Sequence, residues 1–405
     1  MSPQKKLSLT EFVALMAVLI AGLAFAIDAM LPAVPSIAAE LTPDAPNRAS
    51  MIVLTFMLGI GLGTLVSGPL SDAYGRRPII VLGACIFVIG AGFAYFAQTM
   101  EQMMAARVLQ GIGAAGPRIV PLAMVRDLYE GRHMAQVTSF IMSVFMLVPA
   151  VAPAIGALLI DAAGWRSLFV AFSLFSLIGM TWLLIRQPET LARADRRPLR
   201  PAVLRAAFGE VVSNKMVMRY TAVLTLSFVM LFSLITNVQP VYDQAFGRGD
   251  EFPMWFAISA LASACGTILN ARLVIGMGMR RLAYLALGVQ MVLSGAYLIV
   301  LLVLDLPQDV GFYISFLWTV SLFSMVGFTL GNLNALALQP LGHIAGMAAS
   351  VIAAISTVIA VAIAIPVGLA FDGTPLPLVI TTFVSAVLAW TWMRNAQDPV
   401  PAPTG

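Results

Sequence analysis

Gly68-Pro69-Leu70-Ser71-Asp72-Ala73-Tyr74-Gly75-Arg76-Arg77-Pro78 is a short, charged, turn-rich insert between two apolar runs, 55–66 and 79–97, neither of which contains a charge. Three charges between two segments of membrane-spanning length mark a tight loop at a membrane surface. The arginine pair also says which surface, because short cytoplasmic loops collect Lys and Arg.

Composition agrees with that reading. Hydrophobic residues make up 60% of the chain and charged residues 10%, and the mean hydropathy is +0.93. A soluble domain carries about 25% charge and 45–50% apolar residues, so the excess here has to face lipid. Apolar stretches of about 20 residues recur along the chain, each long enough to cross a hydrocarbon core. Strand-like alternation is absent, so the spans are helices rather than barrel strands. The first run follows Lys5 and Lys6, but it is too long for a signal peptide, and Asp28, Pro32 and Pro35 stand where a small-residue cleavage site belongs.

Twelve spans are expected, at about 10–35, 50–70, 79–98, 102–125, 135–160, 166–186, 217–242, 253–275, 281–304, 310–336, 346–370 and 376–394. Of the 23 Lys and Arg residues, only Arg48, Arg166 and Arg248 fall on one side, and Arg107 and Arg118 lie within a span. The rest, Lys5, Lys6, Arg197 and Arg200 among them, share the other side. The positive-inside rule makes that side, with both termini, cytoplasmic. The pI of 9.3 is therefore a topology signal and implies no nucleic-acid partner. Cys85 and Cys265 fall mid-span and read as packing residues. His133 and His343 lack metal-ligand spacing, and Gly111-Ile112-Gly113-Ala114-Ala115-Gly116 is no dinucleotide fingerprint, since no strand precedes it. No nucleophile, metal or cofactor constellation points to an enzyme.

The chain divides into similar halves: a six-helix bundle at 1–186, a polar linker at 187–216, a second bundle at 217–395 and a cytoplasmic tail at 396–405. Gly75-Arg76-Arg77 has an echo in Gly278-Met279-Arg280-Arg281. Met134 with Pro153 is echoed by Met347 with Pro366, and Asp28-x-x-x-Pro32 by Thr236-x-x-x-Pro240. Paired six-helix halves are typical of a large class of secondary transporters.

Several motifs then carry a resemblance. Gly68-x-Leu70-x-Asp72-x-x-Gly75-Arg76-Arg77 resembles the loop motif of the major facilitator superfamily, with Ala73 where a basic residue usually stands. Arg107-x-x-Gln110-Gly111-x-Gly113 resembles the fourth-helix motif of its drug:proton antiporters. Asp28-x-x-Leu31-Pro32-x-x-Pro35, Ala152-Pro153-x-x-Gly156 and Pro188-Glu189-Thr190-Leu191 narrow the likeness to the bicyclomycin-resistance group of bacterial multidrug exporters. The fold so implied is all-α, twelve transmembrane helices in two pseudo-symmetric bundles. The implied activity is proton-coupled efflux across the bacterial inner membrane.

Candidate residues follow. Asp28 is an ionisable residue within a span and so functional by default. By helix rise, Arg107 sits at about the same depth, and the fold resembled brings their helices together. Burial and a neighbouring arginine act in opposite directions on such a carboxyl, which suits a proton that substrate displaces. Arg107 and Arg118 are 11 residues apart, about three turns, so they share one face with Gly111 and Ala114 between them and Gln110 near its edge, a stripe expected to line a cavity. Phe25, Phe232, Thr236, Gln239, Trp318 and Asn332 are further cavity candidates. In the loop, Gly68, Asp72, Gly75, Arg76 and Arg77 are expected to form a conformational latch with Arg126 as the partner of Asp72. Gly59-x-x-x-Gly63-x-x-x-Ser67 reads as a close-packing face.

The expected protein is thus a monomeric transporter that rocks two bundles about a midplane site, exchanging small amphipathic compounds for protons. It needs no cofactor beyond the proton gradient. A proton-coupled importer or dedicated metabolite exporter on the same fold is the first alternative. A membrane receptor of transporter-like fold is the second, and it would be expected to carry an added soluble domain.

Overall fold

A computed structural model of the chain describes residues 7–196, 199 and 201–395. Lys5, Lys6, Arg197, Arg200 and the 396–405 tail lie outside them. The described residues form fourteen α-helices and no strand. In the first half these are α1 (Leu9–Asp28), α2 (Val34–Leu41), α3 (Met51–Tyr74), α4 (Arg76–Tyr95), α5 (Met100–Leu128), α6 (Gly131–Ala163) and α7 (Ser167–Arg186). The second half has α8 (Pro201–Ser213), α9 (Lys215–Pro240), α10 (Phe252–Met277), α11 (Met279–Val303), α12 (Gln308–Leu338), α13 (Ala345–Leu369) and α14 (Leu376–Arg394).

All but α2 and α8 have the length of a membrane span. Helical structure runs almost unbroken over the 62 residues Gln308–Leu369. That length would be roughly 90 Å, about three times a hydrocarbon core. Leu341, at φ −112° and ψ 27°, breaks it into α12 and α13, so twelve spans result.

Three details depart from expectation. The first span is not continuous, because α1 ends at Asp28 and a short 3-10 turn, Leu31–Ala33, leads into α2. Pro32 and Pro35 remove backbone donors and disfavour helix at the residues before them. Its repeat counterpart behaves alike: α9 ends at Pro240 and opens into a wider turn, Val241–Ala245. The expected linker at 187–216 contains α8. The two cysteines are exposed rather than packed inside.

By internal contact the chain forms two compact units, Met1–Pro43 with Thr55–Val203, and Asp44–Leu54 with Leu204–Gly405. The second unit thus takes in a short piece of first-half sequence. Asn47 donates to the carbonyls of Leu369 (3.1 Å) and Phe371 (2.6 Å), bonds that no sequence pattern announces.

Within the first unit, α5 is clamped between α3 and α4 by glycine contacts. A Cβ at Gly59 would stand 2.1 Å from the Val108 carbonyl, at Gly111 2.1 Å from the Phe56 carbonyl, and at Gly113 2.3 Å from the Phe87 nitrogen. Lipid tails offer no hydrophobic drive between helices, so small residues and close backbones provide the attraction. Gly111→Ala is therefore expected to force α3 and α5 apart at about 1–3 kcal/mol. Gly92→Ala, where nothing lies within 4 Å, should be neutral. The yield of folded protein on size exclusion would separate the two, and equal yields would refute the clamp.

Polar contacts tie helix ends together within each unit. In the first unit, Arg186 at the end of α7 pairs with Glu11 at the start of α1 (2.7 and 2.8 Å). At the opposite end Arg166 pairs with Glu40 (2.7 Å) and donates to the Tyr95 carbonyl (3.1 Å). In the second unit, Arg248 bridges Glu251 (2.9 Å) and Asp309 (2.7 Å). There the Trp255 indole, with Arg248, holds the Glu251 carboxyl below the usual carboxylate range.

Candidate functional site

Asp28 is the last residue of α1 and only 5% exposed. It lies beside the break, where Ala29, Met30, Leu31 and Ala33 are all fully buried. The break is fixed from α6: a Cβ on Gly156 would stand 2.3 Å from the Ala29 carbonyl. This gives the Ala152-Pro153-x-x-Gly156 motif a physical role, because its glycine lets α6 approach the backbone next to Asp28.

Arg107 on α5 is 0% exposed. Its guanidinium donates to the Ala26 carbonyl (3.1 Å) and to Gln110 Oε1 (2.6 Å), and it lies 4.1 Å from the centre of the Phe56 ring. Arg107 and the end of α1 therefore share one depth. The expected charge pair is not formed, since no ion pair joins Asp28 to Arg107 among the described residues. A backbone carbonyl, an amide and an aromatic face are among the contacts that hold this desolvated guanidinium. The Gln110 Nε2 beside it is buried with no hydrogen-bond partner, an orphan donor of the kind that a ligand or water takes up.

Part of the stripe between Arg107 and Arg118 packs against neighbouring helices, while Ala114 and Pro117 border a small cavity within the first unit. Gly111 meets the backbone of α3 and Ala114 is 5% exposed. Arg118 itself is half-buried.

The charged loop builds a compact cluster at one end of the first unit. Gly75 has φ 111°, a left-handed conformation that glycine adopts without strain. Arg76 bonds Asp72, Ser71 Oγ (2.9 Å) and Asp127 (2.9 and 3.2 Å). Glu189, beyond α7, caps α4, its two oxygens accepting the backbone N–H groups of Arg76 (2.9 Å) and Arg77 (3.0 Å). Arg77 also donates to the Leu184 carbonyl, and Thr190 Oγ1 donates to Asp127 (2.8 Å). The expected Asp72–Arg126 pair is thus corrected. Arg126 is exposed, and the residue that meets the loop is its neighbour Asp127. One residue turns a helix by about 100°, so the face toward α4 carries the acid and not the base. Gly68 supplies a carbonyl to Ser71 Oγ (2.8 Å).

The other cavity candidates are mostly engaged inside their own units. Phe25 is half-buried and packs on Phe172 (5.3 Å) and Phe175 (5.6 Å) of α7, so its ring turns into the bundle. Phe232 is buried and its ring meets that of Phe228 at a tilt (5.3 Å between centroids). The Thr236 hydroxyl donates back to the Phe232 carbonyl (2.8 Å), while the buried Gln239 has an unpartnered Oε1. Trp318 donates to Ser294 (3.0 Å), which also accepts from Gln290 (3.1 Å). Asn332 donates to Asn270 (2.8 Å). Sequence reasoning missed Asp127, Glu189, Phe56, Gln290 and Asn270 as partners. Only Glu189 carried a signal, its place in a motif.

The fold and these motifs define a multi-pass membrane transporter. The Major Facilitator Superfamily profile matches residues 14–367, and the chain belongs to that family, whose members are transporters rather than enzymes. It is 31% identical to a bicyclomycin resistance protein homolog of Haemophilus influenzae over 71% of this chain and 73% of that one. It is 26% identical to the uncharacterized MFS-type transporter YdgK of Bacillus subtilis over 89% of each. To the multidrug resistance protein MdtL of Salmonella typhi it is 28% identical, over 55% of this chain and 56% of that protein. Among solved structures, a D-xylose–proton symporter superposes with a TM-score of 0.74 at 14% identity, covering 96% of this chain and 99% of the other. That likeness concerns the fold alone.

Proposed function

We propose that this chain exports small amphipathic compounds, drugs or toxic metabolites, in exchange for protons by alternating access, with its Arg-rich ends in the cytoplasm of a bacterial inner membrane. Relatives named for bicyclomycin and multidrug resistance support the substrate class. The observation that carries the coupling is Asp28, a carboxylate buried at a helix break that α6 and the Arg107-bearing helix α5 both approach. A buried ionisable group in a span is costly and marks a proton or ion route. Here Asp28 would carry the proton, and Arg107 would hold the helix end in place and compete electrostatically for the carboxylate. The proton gradient would be the only energy source, and a single chain the working unit.

Everted membrane vesicles test the direction. With the lumen acidified, a labelled substrate should accumulate inside as protons leave. A proton-coupled importer would instead empty preloaded vesicles under the same gradient, and that result would overturn the reading.

A further inference from the structure

The second unit holds a cavity of about 550 Å³ at the α10–α11 turn, lined by Arg280, Arg281 and Tyr284, by Gln339 just past α12 and by Arg394 at the end of α14. Its volume falls within the roughly 300–1,000 Å³ of small-molecule sites. Among the described residues the lining contains three arginines and no acid. A fourth, Arg219, is close by, since it donates to the carbonyl of Asn395 directly after Arg394 (2.6 Å).

The repeat supplies the comparison. Gly278 (φ 79°, ψ 151°) opens α11 as Gly75 (φ 111°, ψ 160°) opens α4, and neither helix start has a side-chain cap of its own. In the first unit that corner is filled by acids of the chain: Glu189 on the opening N–H groups, and Asp72 and Asp127 on Arg76. In the second unit the positions matching Asp72 and Asp127 carry no acid, while the position matching Glu189, just past α14, lies outside the described residues. Ile275 stands three residues before Gly278, where Asp72 stands before Gly75, and it is 90% exposed. The end of α12 presents Leu336 and Gln339, where α5 presents Asp127. One half of the molecule thus shows what this corner binds, and among the described residues the other half keeps cations there, carries no acid at the positions of Asp72 and Asp127, and has a cavity.

We propose that this pocket binds a phosphate-bearing anion, with Arg281 and Arg394 as its principal ligands. Guanidinium forks match phosphate oxygens in paired hydrogen bonds. Basic pockets between the cytoplasmic ends of spanning helices suit anionic lipid headgroups, and the ring of Tyr284, stacked on Trp390 (5.2 Å, 24°), adds an interfacial aromatic wall. The proposal does not depend on the transport reading.

The test is the melting temperature of the purified full-length protein in neutral detergent, titrated with dioleoylphosphatidylglycerol, dioleoylphosphatidylcholine or inorganic phosphate. Phosphatidylglycerol should stabilise the protein and phosphatidylcholine should not. The double variant Arg281→Gln/Arg394→Gln should need about tenfold more phosphatidylglycerol for the same shift. Arg272→Gln, on the exposed surface of α10, should respond as the unaltered protein does. Should the double variant not fold, Arg394→Lys, which keeps the charge but loses the fork, should weaken the response several-fold. Stabilisation by inorganic phosphate alone would make the source a soluble phosphate, and stabilisation only by the lipid would make it the membrane. Equal responses of the unaltered protein and the double variant would overturn the proposal.

Discussion

In Asp28→Asn, pH-driven accumulation of substrate should fall to the level of empty vesicles while substrate still binds. The side chain keeps its shape and loses only the ability to exchange a proton, so the packing against Ala29 and Gly156 should survive. The expected size follows from the gradient. Each pH unit is worth about 1.4 kcal/mol per proton, so two units support an accumulation ratio of roughly 100 at one proton per substrate. Without a titrating group the ratio should collapse to about 1. Energy-independent exchange of labelled for unlabelled substrate should continue, because it needs the conformational cycle but no net proton transfer. Loss of both activities would mean that Asp28 is structural. Survival of both would place the proton elsewhere.

Arg76→Ala should be the most destabilising change at the charged loop. Its side chain is 9% exposed and bridges Asp127, 16% exposed, and Asp72, 41% exposed. Removing it leaves two carboxylates beside one another and beside the Glu189 cap. A fully buried pair broken on one side costs about 3–5 kcal/mol. The exposed Asp72 share is worth much less, so a total of about 2 kcal/mol is expected. For a protein of this size that should lower the melting midpoint by several degrees. Arg126→Ala should change it little, since surface substitutions usually stay within about 0.5 kcal/mol. This contrast separates the observed cluster from the one expected on sequence grounds. Equal effects at Arg76 and Arg126 would contradict the geometry.

The contrast also shows what the sequence could reveal. The spans were legible because lipid imposes length and apolarity on every one of them. The corner at Gly75 was legible because a left-handed turn between two helices needs a glycine, and the charges beside it cannot enter the membrane. The identity of the partners was not. Arg126 and Asp127 are adjacent, and hydropathy does not say which of two charged neighbours faces inward when both stand at a helix end. Glu189 lies 113 residues from Arg76, beyond the reach of any periodicity. At the candidate site, both ionisable residues stood out because charge inside a span is rare. Their relation did not, because Arg107 is answered by a backbone carbonyl and an aromatic ring, and a carbonyl has no sequence signature. Phe25 stands three residues before Asp28 and so shares its helical face, yet the rings of Phe172 and Phe175 draw it toward α7.

On the proposed function, substrate displaces a proton from Asp28. The direct measurement is proton release by the purified protein in weakly buffered detergent solution, on addition of a compound against which it protects an efflux-deficient host. Release approaching one proton per bound substrate is expected from the unaltered protein, and none from Asp28→Asn at the same occupancy. Equal release from both proteins would contradict it.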